Sequence, residues 1–169
     1  MNSLRYAYGF IVILILQLLC CEFITVWPVL YIAVIPLMIV ILPSTISTYI
    51  VMLLGFAIGL LTDALSDGVL GLNAASCTLA GAFKNMITQP MRRYDIQSDE
   101  FNMNSGEFRS GKLVLLLVLV YLLFFTAYVL IDGAGVAGWI YIVLRIIFNV
   151  AVNTAIAYLL IKLWIRRFF

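Results

Sequence analysis

The sequence predicts an all-α integral membrane protein with six transmembrane helices in one domain, residues 1–169, and three observations predict it. Hydrophobic residues fill 65% of the positions and charged ones 11%, at a mean hydropathy of +1.16. A soluble domain of this composition would expose far too much apolar surface. The apolar residues fall in runs close to the roughly 20 residues that span a hydrocarbon core about 30 Å thick at about 1.5 Å per residue. The basic residues gather on alternate connections between those runs, as the positive-inside rule requires.

The first run, residues 6–21, follows Arg5 and is read as a retained span. No small-x-small cleavage site follows it, and bulky Leu19 precedes Cys20 where a lipoprotein signal carries a small residue. The second span, 27–42, is expected to be a helix whose apolar run lies between Pro28 and Pro43, with Pro36 in its middle. Its apolar part, Val29 to Leu42, has 14 residues and reaches about 21 Å, so it recruits Val26 and Trp27, kinks, or thins the bilayer. The third and fourth spans, 46–64 and 70–86, are joined by a short acidic turn at Ser66, Asp67 and Gly68.

Lys84 to Lys112 is the long polar stretch, with Pro90, Gly106, Gly111 and nine charges of both signs; residues 87–112 are read as a solvated loop. The fifth span, 113–131, is almost pure Leu, Val, Tyr and Phe. After the turn that opens at Asp132, the sixth span, 138–164, is interrupted by Arg145, Asn149 and Asn153. With the N-terminus inside, Arg5, Lys84, Arg92, Arg93, Arg109, Lys112, Lys162, Arg166 and Arg167 are all cytoplasmic. The external connections then carry Glu22, Asp63, Asp67 and Asp132, and both termini are cytoplasmic.

The net charge of +2 is therefore a topogenic excess spread over several segments. It forms no stripe of the kind that binds nucleic acid, and it lies against anionic headgroups of the lipid bilayer. Cys20, Cys21 and Cys77 have no metal-ligand spacing, and adjacent cysteines are poorly disposed to bridge each other. With no histidine, no Gly-rich phosphate loop and no CxxC pair, the chain is expected to have no catalytic residues, metal or cofactor.

Candidate structural or partner-binding positions are Asp63, Arg145, Asn149, Asn153, Gly55, Gly59, Gly71 and Ala75. Asp63 at the end of a span is either solvated at the interface or paired, and Arg145, at similar depth on the external side, is the expected counter-charge, with Asp132 next in line. Arg145, Asn149 and Asn153 recur every four residues, so they share one helix face. That face is expected to look into the bundle, the alternative being a ligand or partner groove. Gln17 is read as one more interhelical hydrogen bond. Gly55 and Gly59, and the small-residue series Gly71, Ala75, Thr78 and Ala82, permit close helix approach, either within the third-to-fourth hairpin or toward a partner helix.

Gln17, Pro36, Pro43 and the run GLLTDALSDGVLGLNA from Gly59 to Ala74 resemble the rod-shape-determining MreD family, whose members carry a similar Gly-Leu-x-x-Asp then Leu-Gly-x-x-Ala pattern at this hairpin. The resemblance implies a non-catalytic component of the bacterial inner membrane, acting in the cell-elongation complex. It would bind an MreC-like bitopic protein and, through it, serve a RodA-type glycosyltransferase, a penicillin-binding transpeptidase and MreB in lateral peptidoglycan synthesis. It also implies a fold similar to the substrate-binding subunits of energy-coupling-factor transporters. The competing function is thus a vitamin-binding subunit with an outward pocket near Asp63 and Arg145, although the short external connections hold few groups to enclose a ligand. An ion pathway would want ionisable groups at several depths, and only Arg145 lies well inside a span.

Overall fold

The computed structural model describes residues 11–20, 30–42, 46–66, 69–93, 110–133 and 138–162. Every regular element among them is helical. α1 covers Ile11–Cys20, α2 Pro36–Ile41, α3 Thr48–Leu65, α4 Leu72–Arg93, α5 Ser110–Asp132 and α6 Trp139–Leu160. α3, α5 and α6 are each long and apolar enough to cross a membrane, which marks the chain as a membrane protein. At 18 residues, α3 is about 27 Å long, close to the thickness of a hydrocarbon core. α4 has 22 residues, but Lys84, Asn85, Gln89, Arg92 and Arg93 make its second half polar.

The chain folds back on itself in sequence order: α3 packs on α4, α4 on α5 and α5 on α6. α2 is inserted against α4 and α5, and all six of its residues are buried. Around it lie Val51 of α3, Cys77 and Ala80 of α4, and Leu116, Leu117, Val120, Tyr121, Phe124 and Phe125 of α5. The opposite faces are bare. Tyr49, Leu53, Phe56 and Leu60 on α3, and Ile140, Leu144, Ile147 and Phe148 on α6, point away from the core.

Four boundaries move relative to the sequence reading. The helix of the second span shrinks to Pro36–Ile41, and residues 31–34 before it are not helical. Pro36 stands at the start of α2 rather than at a kink inside a longer helix. Proline is suited there because the first helical N–H has no partner to lose. Ahead of it, Ile32 and Val34 are β-branched, and such residues favour non-helical backbone. α4 runs on through Pro90 to Arg93, past the expected end at 86 and into the stretch read as a loop, and Lys84 within it is buried. α5 begins at Ser110, three residues before the expected start of the fifth span. α6 ends at Leu160, with Ile161 and Lys162 in a wider turn. Residues 6–10 and 21 of the first span, Trp27, Pro28 and Pro43, Asp67 and Gly68, the polar stretch 94–109 and the end of the chain from 163 lie outside the described residues.

Candidate functional site

A non-helical backbone segment inside a membrane bundle needs a partner for each N–H and C=O, because hydrocarbon supplies none. Here the partners are side chains from three helices. Gln17 of α1, fully buried, accepts from Val34 N at 2.5 Å and Ile35 N at 3.3 Å through Oε1, and donates from Nε2 to Ile32 O at 3.1 Å. Asn149 of α6 accepts from Tyr31 N at 2.8 Å. One turn on, Asn153 accepts from Ala33 N at 2.7 Å and donates to Tyr31 O at 2.9 Å. Tyr121 of α5 donates its hydroxyl to Ala33 O at 2.9 Å. Seven hydrogen bonds therefore hold residues 31–35 in place of the helical bonds the segment does not make.

Tyr31 carries this lattice across to the α3–α4 hairpin. Its ring stacks on Tyr128 of α5, with centroids 4.6 Å apart and an interplanar angle of 15°. Its hydroxyl accepts from Gln17 Nε2 at 3.2 Å and donates to Asn73 Oδ1 at 3.1 Å. Asn73 Nδ2 in turn donates to Asp63 Oδ1 at 2.8 Å. A continuous polar path thus joins α1, the non-helical segment, α4 and α3.

Asp63 is 2% exposed and engages four donors: the backbone N–H groups of Gly71, Asn73 and Ala74 at 3.0 to 3.2 Å, and the Asn73 amide. The N–H groups of Asn73 and Ala74 belong to the first turn of α4, which has no intrahelical partner for them, and that of Gly71 lies in the turn just ahead of it. A carboxylate there also faces the positive end of the helix dipole. Gly71 delivers its N–H from φ +96°, a left-handed backbone that glycine adopts without steric cost. The acid is thus neither solvated nor paired with Arg145. Arg145 Nη1 instead donates to Asp132 Oδ2 at 2.6 Å, across the α5–α6 corner. The physical reason is local: Asp63 is saturated by the helix that follows it, and Asp132 ends the helix that packs on Arg145's own. Asn149 and Asn153 are buried, so the four-residue stripe does face the interior, with Arg145 nearest the edge.

Gly55 and Gly59 are used inside the hairpin. A Cβ at Gly55 would come within 2.9 Å of Cys77 O, and one at Gly59 within 2.5 Å of Ala74 Cα. Gly71 lies in the turn ahead of α4 instead of continuing a helical small-residue row, and Ala75 is exposed on the outer side of α4. At the other end of the hairpin, the buried Lys84 donates its ammonium to Leu42 O at the end of α2, and Asn85 Nδ2 donates to Thr48 Oγ1 at 2.9 Å. A cation is favoured at a helix C-terminus. Cys77 is a buried free thiol, and Cys21 lies outside the described residues.

Sequence reasoning missed Tyr31, Asn73 and Tyr121 and gave Gln17 too small a part. The available signal was a polar residue in each apolar run, placed opposite a short β-branched segment that a proline ends. What the arrangement does chemically is hold backbone: its carboxylate and amides are consumed by N–H and C=O groups of the fold. Comparison of the chain with models of protein families, with curated proteins and with solved structures finds no match.

Proposed function

We propose that this chain is an MreD-like, non-catalytic membrane component of the bacterial cell-elongation complex, and that it works by binding an MreC-like bitopic protein. In this reading it has six spans, with both termini on the cytoplasmic side of the inner membrane. The observation that carries the proposal is the use made of Asp63. The run from Gly59 to Ala74, on which the family resemblance rests, builds a pinned corner in which the acid binds the chain's own α4. A protein that acts by presenting a fixed surface to neighbours needs such a corner, whereas a vitamin-capturing subunit would need Asp63 and Arg145 to face a shared space. Asp63 is enclosed by α4, and Arg145 is paired with Asp132. Broad apolar faces on α3 and α6 remain for contact with lipid or with a partner's helix.

Two results test the reading together. Depletion in a rod-shaped host is expected to round the cells, and the tagged protein is expected to recover an MreC-like bitopic protein from gently solubilised membranes. Recovery of nucleotide-binding subunits, or a vitamin retained through purification, would replace the proposal with the transporter reading.

A further inference from the structure

Asp132 is the last residue of α5, and Arg145 lies two turns into α6, so their ion pair closes the corner between the two helices. The pair is partly exposed, with 13% of the Arg145 side chain and 33% of that of Asp132 accessible. Nη1 to Oδ2 is its contact among the described residues; Nε and Nη2 of the guanidinium and Oδ1 of the carboxylate face no partner there. Arginine carries five N–H donors in a fixed fork, so most of them remain available. Next to the pair along the two helices, Ile131, Tyr141 and Leu144 are exposed, and Trp139 and Ile140 are exposed where α6 begins. Trp and Tyr concentrate at the headgroup level of bilayers, which places this corner where acyl chains give way to phosphates.

We infer that the Arg145–Asp132 corner binds the headgroup of a phospholipid carrying both a phosphodiester and a primary ammonium. The free guanidinium edge takes the phosphate oxygens, a contact for which arginine's fork is shaped. The free carboxylate oxygen takes an N–H of the ammonium. The exposed side chains beside the pair receive the upper acyl chain. A quaternary ammonium has no N–H to give Asp132, and a glycerol headgroup brings no cation at all. The corner therefore ranks phosphatidylethanolamine above phosphatidylcholine, and phosphatidylcholine above phosphatidylglycerol.

The test is competition among these three lipids, added in equal amounts to the purified full-length protein in detergent and read as bound lipid by native mass spectrometry. Phosphatidylethanolamine is expected to exceed phosphatidylcholine about five-fold, the scale of one partly exposed charge contact. Asp132→Asn is expected to bring the two to about parity and to raise phosphatidylglycerol, while Arg145→Gln lowers all three. Equal binding of the three lipids by the unaltered protein would overturn the inference, as would an ethanolamine preference that survives Asp132→Asn. Soluble phosphoethanolamine at millimolar concentration is expected to leave the bound lipid in place. Displacement by it would mean that the corner takes a free metabolite and not a lipid. Because the lipid series is run on the unaltered protein, the inference stays testable if either variant folds poorly.

Discussion

Replacing Asp63 by asparagine keeps the shape of the side chain and changes two things, its charge and one of its two acceptor oxygens. In the native arrangement Oδ2 receives Gly71 N, Asn73 N and Ala74 N, and Oδ1 receives Asn73 Nδ2 at 2.8 Å. If the amide oxygen of the substituted residue takes the Oδ2 position, three backbone N–H groups keep an acceptor but lose its charge. A hydrogen bond to a charged group is worth about 1.5–3 kcal/mol and a neutral one about 0.5–1.5, so this change costs roughly 1 kcal/mol per bond before any offset. The new NH₂ then points at the NH₂ of Asn73, leaving a buried donor unsatisfied at about 1–3 kcal/mol. Relief from burying a carboxylate works in the other direction. The expected loss is about 2–3 kcal/mol overall. SDS titration of the bicelle-reconstituted protein, followed by circular dichroism, measures it. Asn73→Asp added to Asp63→Asn restores the acceptor opposite position 63 and keeps the acceptor for Tyr31, so the double change is expected to recover about 1 kcal/mol. A single Asp63→Asn change within about 0.5 kcal/mol of the native protein would refute the capping account, since that is the scatter of an ordinary surface substitution.

Gly59→Ala forces a methyl to 2.5 Å from Ala74 Cα and is expected to destabilise by about 1–3 kcal/mol, as overpacking does. Gly81→Ala, where the nearest atom is Val51 O at 3.2 Å, is expected to cost less, and thermal aggregation in one detergent ranks the two. Asp63→Asn and Arg145→Gln are expected to add within about 0.5 kcal/mol, whereas Arg145→Gln and Asp132→Asn are expected to couple by up to about 1 kcal/mol, a modest figure because that pair is partly exposed. A double-mutant cycle with the opposite pattern would restore the Asp63–Arg145 pairing. For orientation, single cysteines at Ser105 and Gly135 in a variant lacking the native three are expected to differ toward an impermeant thiol reagent added outside. Labelling at Gly135 alone fits a cytoplasmic N-terminus, and labelling at Ser105 alone reverses it.

Membrane character, the α3–α4 hairpin and the inward stripe of α6 were legible because each rests on a periodic signal. Apolar length marks a helix that can cross a bilayer, small residues four apart mark a close crossing, and Arg145, Asn149 and Asn153 four apart mark one face. The partner of Asp63 was not legible. Charge complementarity pointed to Arg145, but the donors that claim the acid are backbone N–H groups of residues 71, 73 and 74, which carry no signature in residue type beyond the glycine that turns the chain. The extent of the second helix was misread for a similar reason. Apolar length alone does not separate a span that is helical throughout from one that is half helix and half irregular backbone.

That irregular backbone gives the polar residues of three distant helices one common purpose. A single amide can satisfy one N–H and one C=O of a non-helical strand, and Asn153 does this at Ala33 N and Tyr31 O. Gln17 reaches the next residues along, and Tyr121 closes the remaining carbonyl at Ala33. Asn153→Leu is close in size but takes away both contacts, leaving a buried donor and a buried acceptor at about 1–3 kcal/mol each, less whatever the bilayer reference state recovers. The loss belongs to α6 as much as to residues 31–35, because the two amides of α6 are hydrogen bonds by which that helix reaches the core beyond its packing on α5. Hydrogen exchange is therefore expected to rise in Asn153→Leu at Tyr31 and Ala33 and along the inner face of α6, with the α3–α4 hairpin unchanged. Exchange that rose in the hairpin equally would mean that the lattice is one cooperative unit from Asp63 to Asn153. Exchange confined to residue 153 and its helical neighbours would mean that the non-helical segment is held by its buried apolar side chains and that the amides are secondary.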